Sequence, residues 1–165
     1  MRTYAIVLSA SLSLAACGFA MHAIPDIDGF HRSASDLKTS VDRHRTNMMT
    51  VETEEACQAE HLRYDGEARP LVERMRMMAG DMDACMRAMG HEDQMDFATT
   101  CQELKAELDR HKSSACASTD PAVNRTEAAR HADGMGGHTG LMMSRGSGMH
   151  GMMSNGMMSG GICRR

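Results

Sequence analysis

The chain has 165 residues, a formal net charge of −4 and 3% aromatic residues. Its charges are mixed in sign, so it carries no electrostatic footprint for nucleic acid, and its length suits one domain with a modest core. Usage is skewed toward sulfur, with 19 Met and 6 Cys beside 9 His and 15 Gly.

Residues 1–16 read as a targeting segment. Arg2 supplies the positive start, and Ala5 to Leu14 form an apolar run too short to span a bilayer as a permanent helix. The run ends in Leu14-Ala15-Ala16-Cys17-Gly18. An exported chain keeps its cysteines in an oxidising compartment, where disulfides are the default for Cys57, Cys85, Cys101, Cys116 and Cys163. Five is odd, so at least one of them lacks an intramolecular partner. Residues 17–32 contain Pro25 and Gly29 and read as a spacer.

Residues 33–117 have the period of helices. Leu37, Val41, His44, Met48 and Val51 recur at spacings of three and four, which predicts a first helix from Ser33 or Ser35 to about Tyr64, ended by Asp65-Gly66. A second helix starts at Ala68-Arg69-Pro70 and buries Leu71, Met75, Met78, Met82, Cys85 and Met89, ending at Gly90. Met77 and Met86 fall off that seam. A third helix starts near Asp93, with Phe97, Cys101, Leu104, Leu108, His111 and Ala115 inward. Short connections make neighbours antiparallel, so the expected fold is all-α, an antiparallel three-helix bundle. Residues 118–133 read as a linker or a short fourth helix, with Asp120 as cap and Pro121 at the first helical position. Heights along the helices favour the disulfides Cys57–Cys116 and Cys85–Cys101, with Cys57–Cys101 close behind. If Cys57 and Cys116 stay reduced, they form with His61 and His111 a Cys₂His₂ alternative. His44 and Met48 are spaced i, i+4 and form a weaker candidate pair.

Residues 134–165 are different. Gly134 to Cys163 holds eight Met, two His and no acid among glycines and serines. Glycine at this density disfavours independent folding, and the expectation is a disordered tail. Thioether is a neutral, soft ligand that suits Cu(I) and Ag(I). The candidate ligands are Met142, Met143, Met149, His150, Met152, Met153, Met157 and Met158, with Cys163 as a stronger one. The bland alternative is an inert low-complexity tail. No phosphate loop, nucleophile elbow, His-Glu-x-x-His or Cys-x-x-Cys occurs, so no enzyme is expected.

Two resemblances follow from these residues. Leu14-Ala15-Ala16-Cys17 resembles the box of bacterial lipoproteins, which implies acylation of Cys17 and anchorage to a bilayer. Gly18 after that cysteine, by the same resemblance, implies the outer membrane facing the periplasm, ahead of the inner membrane or the cell surface. The Met/His tail is similar to ligand-rich segments of bacterial periplasmic copper- and silver-binding proteins, which implies sequestration of a soft ion or its hand-over to a periplasmic carrier. The competing expectation is a disulfide-stapled helical lipoprotein that docks on an envelope protein and has no metal function.

Overall fold

The computed structural model describes residues 25–88, 90, 91 and 96–154, the last three of these by backbone alone. The expected targeting segment, Cys17, Met89, Met157, Met158 and Cys163 lie outside the described residues. Four helices follow in order: α1 (Ile27–Met48), α2 (Glu54–Ala88), α3 (Phe97–Ser114) and α4 (Pro121–Ser154). α1 packs on α2 and α4, and α3 packs on the same two, so α1 faces α3 and α2 faces α4 across the diagonals of a four-helix bundle. No described helix is long and apolar enough to cross a membrane.

α1 begins within the expected spacer. The Asp26 carboxylate caps it by accepting the Gly29 N–H at 2.8 Å. A Cβ on Gly29 would lie 2.1 Å from that carboxylate, so the cap needs glycine there. Ile27 and Phe30 then continue the buried stripe of Ala34, Leu37, Val41, His44 and Met48 backward by two turns. The expected single helix to Tyr64 is in fact broken after Met48. The chain turns at residues 49–53, and the Thr53 hydroxyl accepts the Ala56 N–H to start α2, with Glu54 and Glu55 in its first turn. Thr-Val-Glu-Thr before two glutamates is a cap signal that an unbroken period obscured.

The expected stop at Asp65-Gly66 is absent. α2 runs through Gly66 and Pro70, both on its exposed face, where water can serve the carbonyl that proline leaves unbonded. Cys57, Tyr64, Ala68, Val72, Met75, Ala79, Met82 and Met86 form one continuous buried seam across that point. Met86, off the expected seam, is therefore core, whereas Met77 is exposed. α3 starts at Phe97, with Asp96 capping Thr99 N–H at 2.9 Å. The buried carboxylate of Asp83 on α2 accepts the Phe97 and Ala98 N–H groups at 2.9 Å each, tying α2 to the start of α3. Phe30 and Phe97 pack edge to face with centroids 5.2 Å apart.

α4 departs furthest from expectation. Asp120 caps it through the Ala122 N–H, with Pro121 at the first helical position as expected, but the helix continues through the glycine-rich stretch to Ser154. Its buried line is Ala128, His131, Met135, Thr139, Met142, Gly146 and Met149, a three-and-four spacing with methionine every seventh residue. Seven glycines between 134 and 151 cost the helix about 1 kcal/mol each relative to alanine. Burying Met135, Met142 and Met149 returns roughly 1.5–3 kcal/mol each, so docking on the bundle just offsets the weak propensity. Tertiary burial, absent from any local reading, is what makes this segment helical.

Cys57 and Cys116 form a disulfide, as expected, across a sequence separation of 59. A loop of that size implies about 4 kcal/mol of stabilisation in the chain-entropy account. Ala115, extended, closes α3, and Cys116 after it sits at φ 55 in the left-handed region. The expected Cys85–Cys101 bond is not formed: Cys101 is a buried free thiol, and Cys85 is bonded in a different disulfide. Heights alone could not tell which thiol at that end pairs.

These assignments give opposite outcomes for two substitutions in α4. Met142→Ala is expected to destabilise the protein by about 2–5 kcal/mol. Gly140→Ala, where a Cβ meets nothing within 4 Å, is expected to stabilise it by up to about 1 kcal/mol. Urea unfolding of the two variants checks both, and a disordered tail would leave the Met142 variant unchanged.

Candidate functional site

Each of the four helices contributes an aromatic ring to one interior layer. α1 brings His44, α2 brings His61 and Tyr64, α3 brings His111 and α4 brings His131. His44, Tyr64, His111 and His131 are 2% exposed or less, while His61 is half-buried at the edge. The rings form two stacks. His44 lies on Tyr64 with centroids 4.2 Å apart and planes at 14°, and His111 lies on His131 at 3.9 Å and 6°. The stacks meet edge to face, with His44 at 77° to His111 and Tyr64 at 78° to His131.

Polar atoms meet where the stacks meet. His44 Nε2 and His111 Nε2 are 3.1 Å apart, and the Tyr64 hydroxyl is 2.8 Å from His131 Nε2. The opposite nitrogen of each histidine faces a glutamate: His44 Nδ1 to Glu60 at 3.0 Å, His131 Nδ1 to Glu107 at 3.0 Å, and His111 Nδ1 to Glu127 at 3.6 Å. Arginines back these carboxylates, Arg63 on Glu60, Arg110 on Glu107 and Glu127, and Arg130 on Glu127. An imidazole held by a carboxylate through one nitrogen presents the other nitrogen, in a fixed tautomer, to whatever lies beyond it.

Burial pushes all four histidines below their ordinary range. His111 falls to about 3 and His131 to about 2, each through desolvation first and then the neighbouring histidines and Arg110. Desolvation lowers His44 against the opposing pull of Glu60, and desolvation likewise lowers His61. Glu60 is held down at about 2; burial raises it, but hydrogen bonds from Arg63, Asn47 and His44 together outweigh that. Burial raises the Tyr64 phenol, which therefore keeps its proton at neutral pH.

Neutral rings leave a mismatch. A carboxylate only accepts, so His44 and His131 carry their protons on Nδ1, and both Nε2 atoms are lone pairs. Tyr64 donates to that of His131. His111 has one proton and two claimants. On Nε2 it would satisfy His44 and leave a bare Nδ1 facing Glu127; on Nδ1 it would leave two lone pairs 3.1 Å apart. His111 Nδ1 is indeed a buried atom without a hydrogen-bond partner. The pair is short by one donor, a gap that a proton or a metal ion placed between the Nε2 atoms would close. Two nitrogens at 2.0–2.1 Å from a tetrahedral ion are separated by about 3.3 Å, near the observed gap. Among the described residues no three His, Cys, Asp or Glu side chains already surround a common point as ligands. His44 and His111 face each other, and His131 is covered by the Tyr64 hydroxyl.

Of the sequence-derived candidates, the fold brings His44, His61 and His111 together. Met48 lies apart, with Val51, Cys57 and Ala128. The Cys₂His₂ alternative is closed, because Cys57 and Cys116 are spent in their bond. Met142 and Met149 are fully buried in the main core, and Met143 is half-buried against it, so their sulfurs pack with hydrocarbon. His150 is exposed, 3.9 Å from Asp28. Met152 and Met153 lie in the last turn of α4. Tyr64, His131, Glu60, Glu107 and Glu127 were not singled out from the sequence. His131 had a signal, its place on the spacing that runs on to Met135, Met142 and Met149.

No protein-family model, curated protein or solved structure matches this chain, so its chemistry has to be argued from the site itself.

The buried histidines set a pH dependence. Their folded pKa values lie below the unfolded value of 6.5, so the unfolded chain binds more protons below that pH. Their stabilising contribution is complete above about pH 6.5 and is lost as pH falls toward the folded values. His111 and His131 are each expected to remove about 1.4 kcal/mol per pH unit well below 6.5. Urea midpoints of ion-free protein from pH 8 to pH 4 check this; a flat profile would mean that the rings protonate freely in the folded state.

Proposed function

We propose that this chain is an exported, lipid-anchored protein that binds a transition-metal ion, and that the ion sits in the ring layer rather than along a methionine ladder. The lipoprotein-like box at Cys17 supports export and anchorage to a bilayer. The observation that carries the binding reading is the pair of facing Nε2 atoms of His44 and His111, together with the unpartnered Nδ1 of His111. An ion bound to both Nε2 atoms lets His111 carry its proton on Nδ1 toward Glu127. Every polar atom of the pair is then used. His131 becomes a third ligand if the Tyr64 hydroxyl swings from its nitrogen to the ion or its water.

Three imidazoles and a phenol suit copper or zinc, and carboxylates behind the rings raise ligand basicity. Copper(I) remains within this set, since imidazole binds it, while silver(I), which relies more on thioethers, fits less well. Sequestration or hand-over to a periplasmic carrier is the role such a site would serve. On the described part of the tail, Met143 and His150 remain available as accessory soft ligands.

The test is titration of Zn²⁺, Cu²⁺ and, anaerobically, Cu(I) into the mature chain against a chromogenic competitor. One ion per chain is expected. His111→Gln or His44→Gln should weaken it at least about a hundredfold, and Glu127→Gln roughly 10–100-fold. A variant with leucine at Met152, Met153, Met157 and Met158 should retain it. The reverse pattern, loss in the leucine variant and retention in the glutamine variants, would move the ion to the tail. Far-UV circular dichroism controls for folding.

A further inference from the structure

His44, Tyr64, His111 and His131 are almost wholly buried. An ion approaching from the glutamate sides meets the guanidinium groups of Arg63, Arg110 and Arg130 before it meets a carboxylate. The Cys57–Cys116 disulfide ties α2 to the end of α3 one turn from the rings. One member of the layer, His61, is different. Its ring packs edge to face on His111, with centroids 5.2 Å apart and planes at 70°, yet it is half-exposed. Its Nδ1 is buried without a hydrogen-bond partner, so it keeps ligand capacity that the folded network does not use. The charged groups that act on it are of both signs, Asp65 against Lys112 and Arg69, with Asp65 paired to Arg69 at 2.8 Å.

We propose that His61 is the portal of the site: it captures the ion at the surface and passes it to His111 and His44. The role rests on the ion-binding reading above and adds to it a route. The His61 ring straddles the boundary between water and the layer, half-exposed as a residue while its unpartnered Nδ1 is buried. Transfer needs only exchange of one nitrogen for another between touching rings, so the ion is never left without a ligand. A portal acts on rates in both directions and leaves the end states alone. A structural ring would leave the rates alone, and a permanent ligand would change affinity.

The experiment is stopped-flow uptake and release of Zn²⁺ and Cu(I) by the mature chain, with the equilibrium constant measured in parallel. His61→Phe keeps the packing on His111 and removes the ligand. It is expected to slow uptake and release by about tenfold each and to leave affinity within about threefold. His61→Met restores a soft ligand only, and should recover the rates for Cu(I) and not for Zn²⁺. Wild-type rates in His61→Phe, or no Cu(I) recovery in His61→Met, would overturn the portal while leaving the site intact. Loss of affinity in His61→Phe would make His61 a resident ligand and also overturn the portal. Absence of any ion binding by the wild-type chain would remove the site and the portal together.

Discussion

Two hydrogen bonds cross the interior of this bundle on its diagonals, His44 to His111 between α1 and α3 and Tyr64 to His131 between α2 and α4. Adjacent helices in a bundle meet through broad apolar stripes, and here those stripes are mostly Met, Leu, Ala and Val, with one pair of phenylalanines at one end. Such a core is deformable, and a slip by one turn would cost it little. A buried imidazole facing another imidazole tolerates no such slip, because each displaced nitrogen would be left without a partner in a dry interior. The layer fixes the register of all four helices at one height. The glutamates and arginines outside it follow from that placement, since each ring needs an acceptor behind it and each acceptor a countercharge.

The chemistry of the layer follows from the same constraint. Burial keeps the histidines neutral, and neutrality leaves His111 with more claims on its proton than protons. The arrangement leaves the buried Nδ1 of His111 unpartnered, and burial keeps the rings from taking up a proton near neutral pH. Methionine and histidine, the two conspicuous residue types of this chain, divide the work: buried methionines fill α2 and α4 against the core, and histidines carry the polar chemistry.

The helical class, the Cys57–Cys116 bond and the start of α4 at Asp120-Pro121 were legible in the sequence, because each rests on local signals or on spacing. The break at Met48 was not, because the apolar period runs across it and only Thr53 with two glutamates marks a new start. The continuity of α2 through Gly66 and Pro70 was hidden for the opposite reason: strong local breakers sit on a solvent-facing side where they cost little. The helicity of residues 134–154 could not be read from propensity, since seven glycines outweigh it until Met135, Met142 and Met149 find a groove. The site was half legible. His61 and His111 were read together, with two cysteines that proved to be bonded to each other, and His44 was read apart from them with Met48; the full layer depended on α4 and on His131. Heights along three helices give no account of a ring supplied by a fourth.

The disulfide divides the chain into a closed loop and two arms. Cys57 and Cys116 enclose most of α2, all of α3 and their connection, while α1 and α4 extend from either end and pack on each other. With that bond formed the central hairpin is tethered, and the further disulfide at Cys85 adds a second tie. A reduced chain has to meet the whole entropy of that closure with a soft core and a glycine-laden fourth helix. Redox state therefore acts as a timer for this fold: the thiol form is the looser one, and compactness arrives with the cross-link.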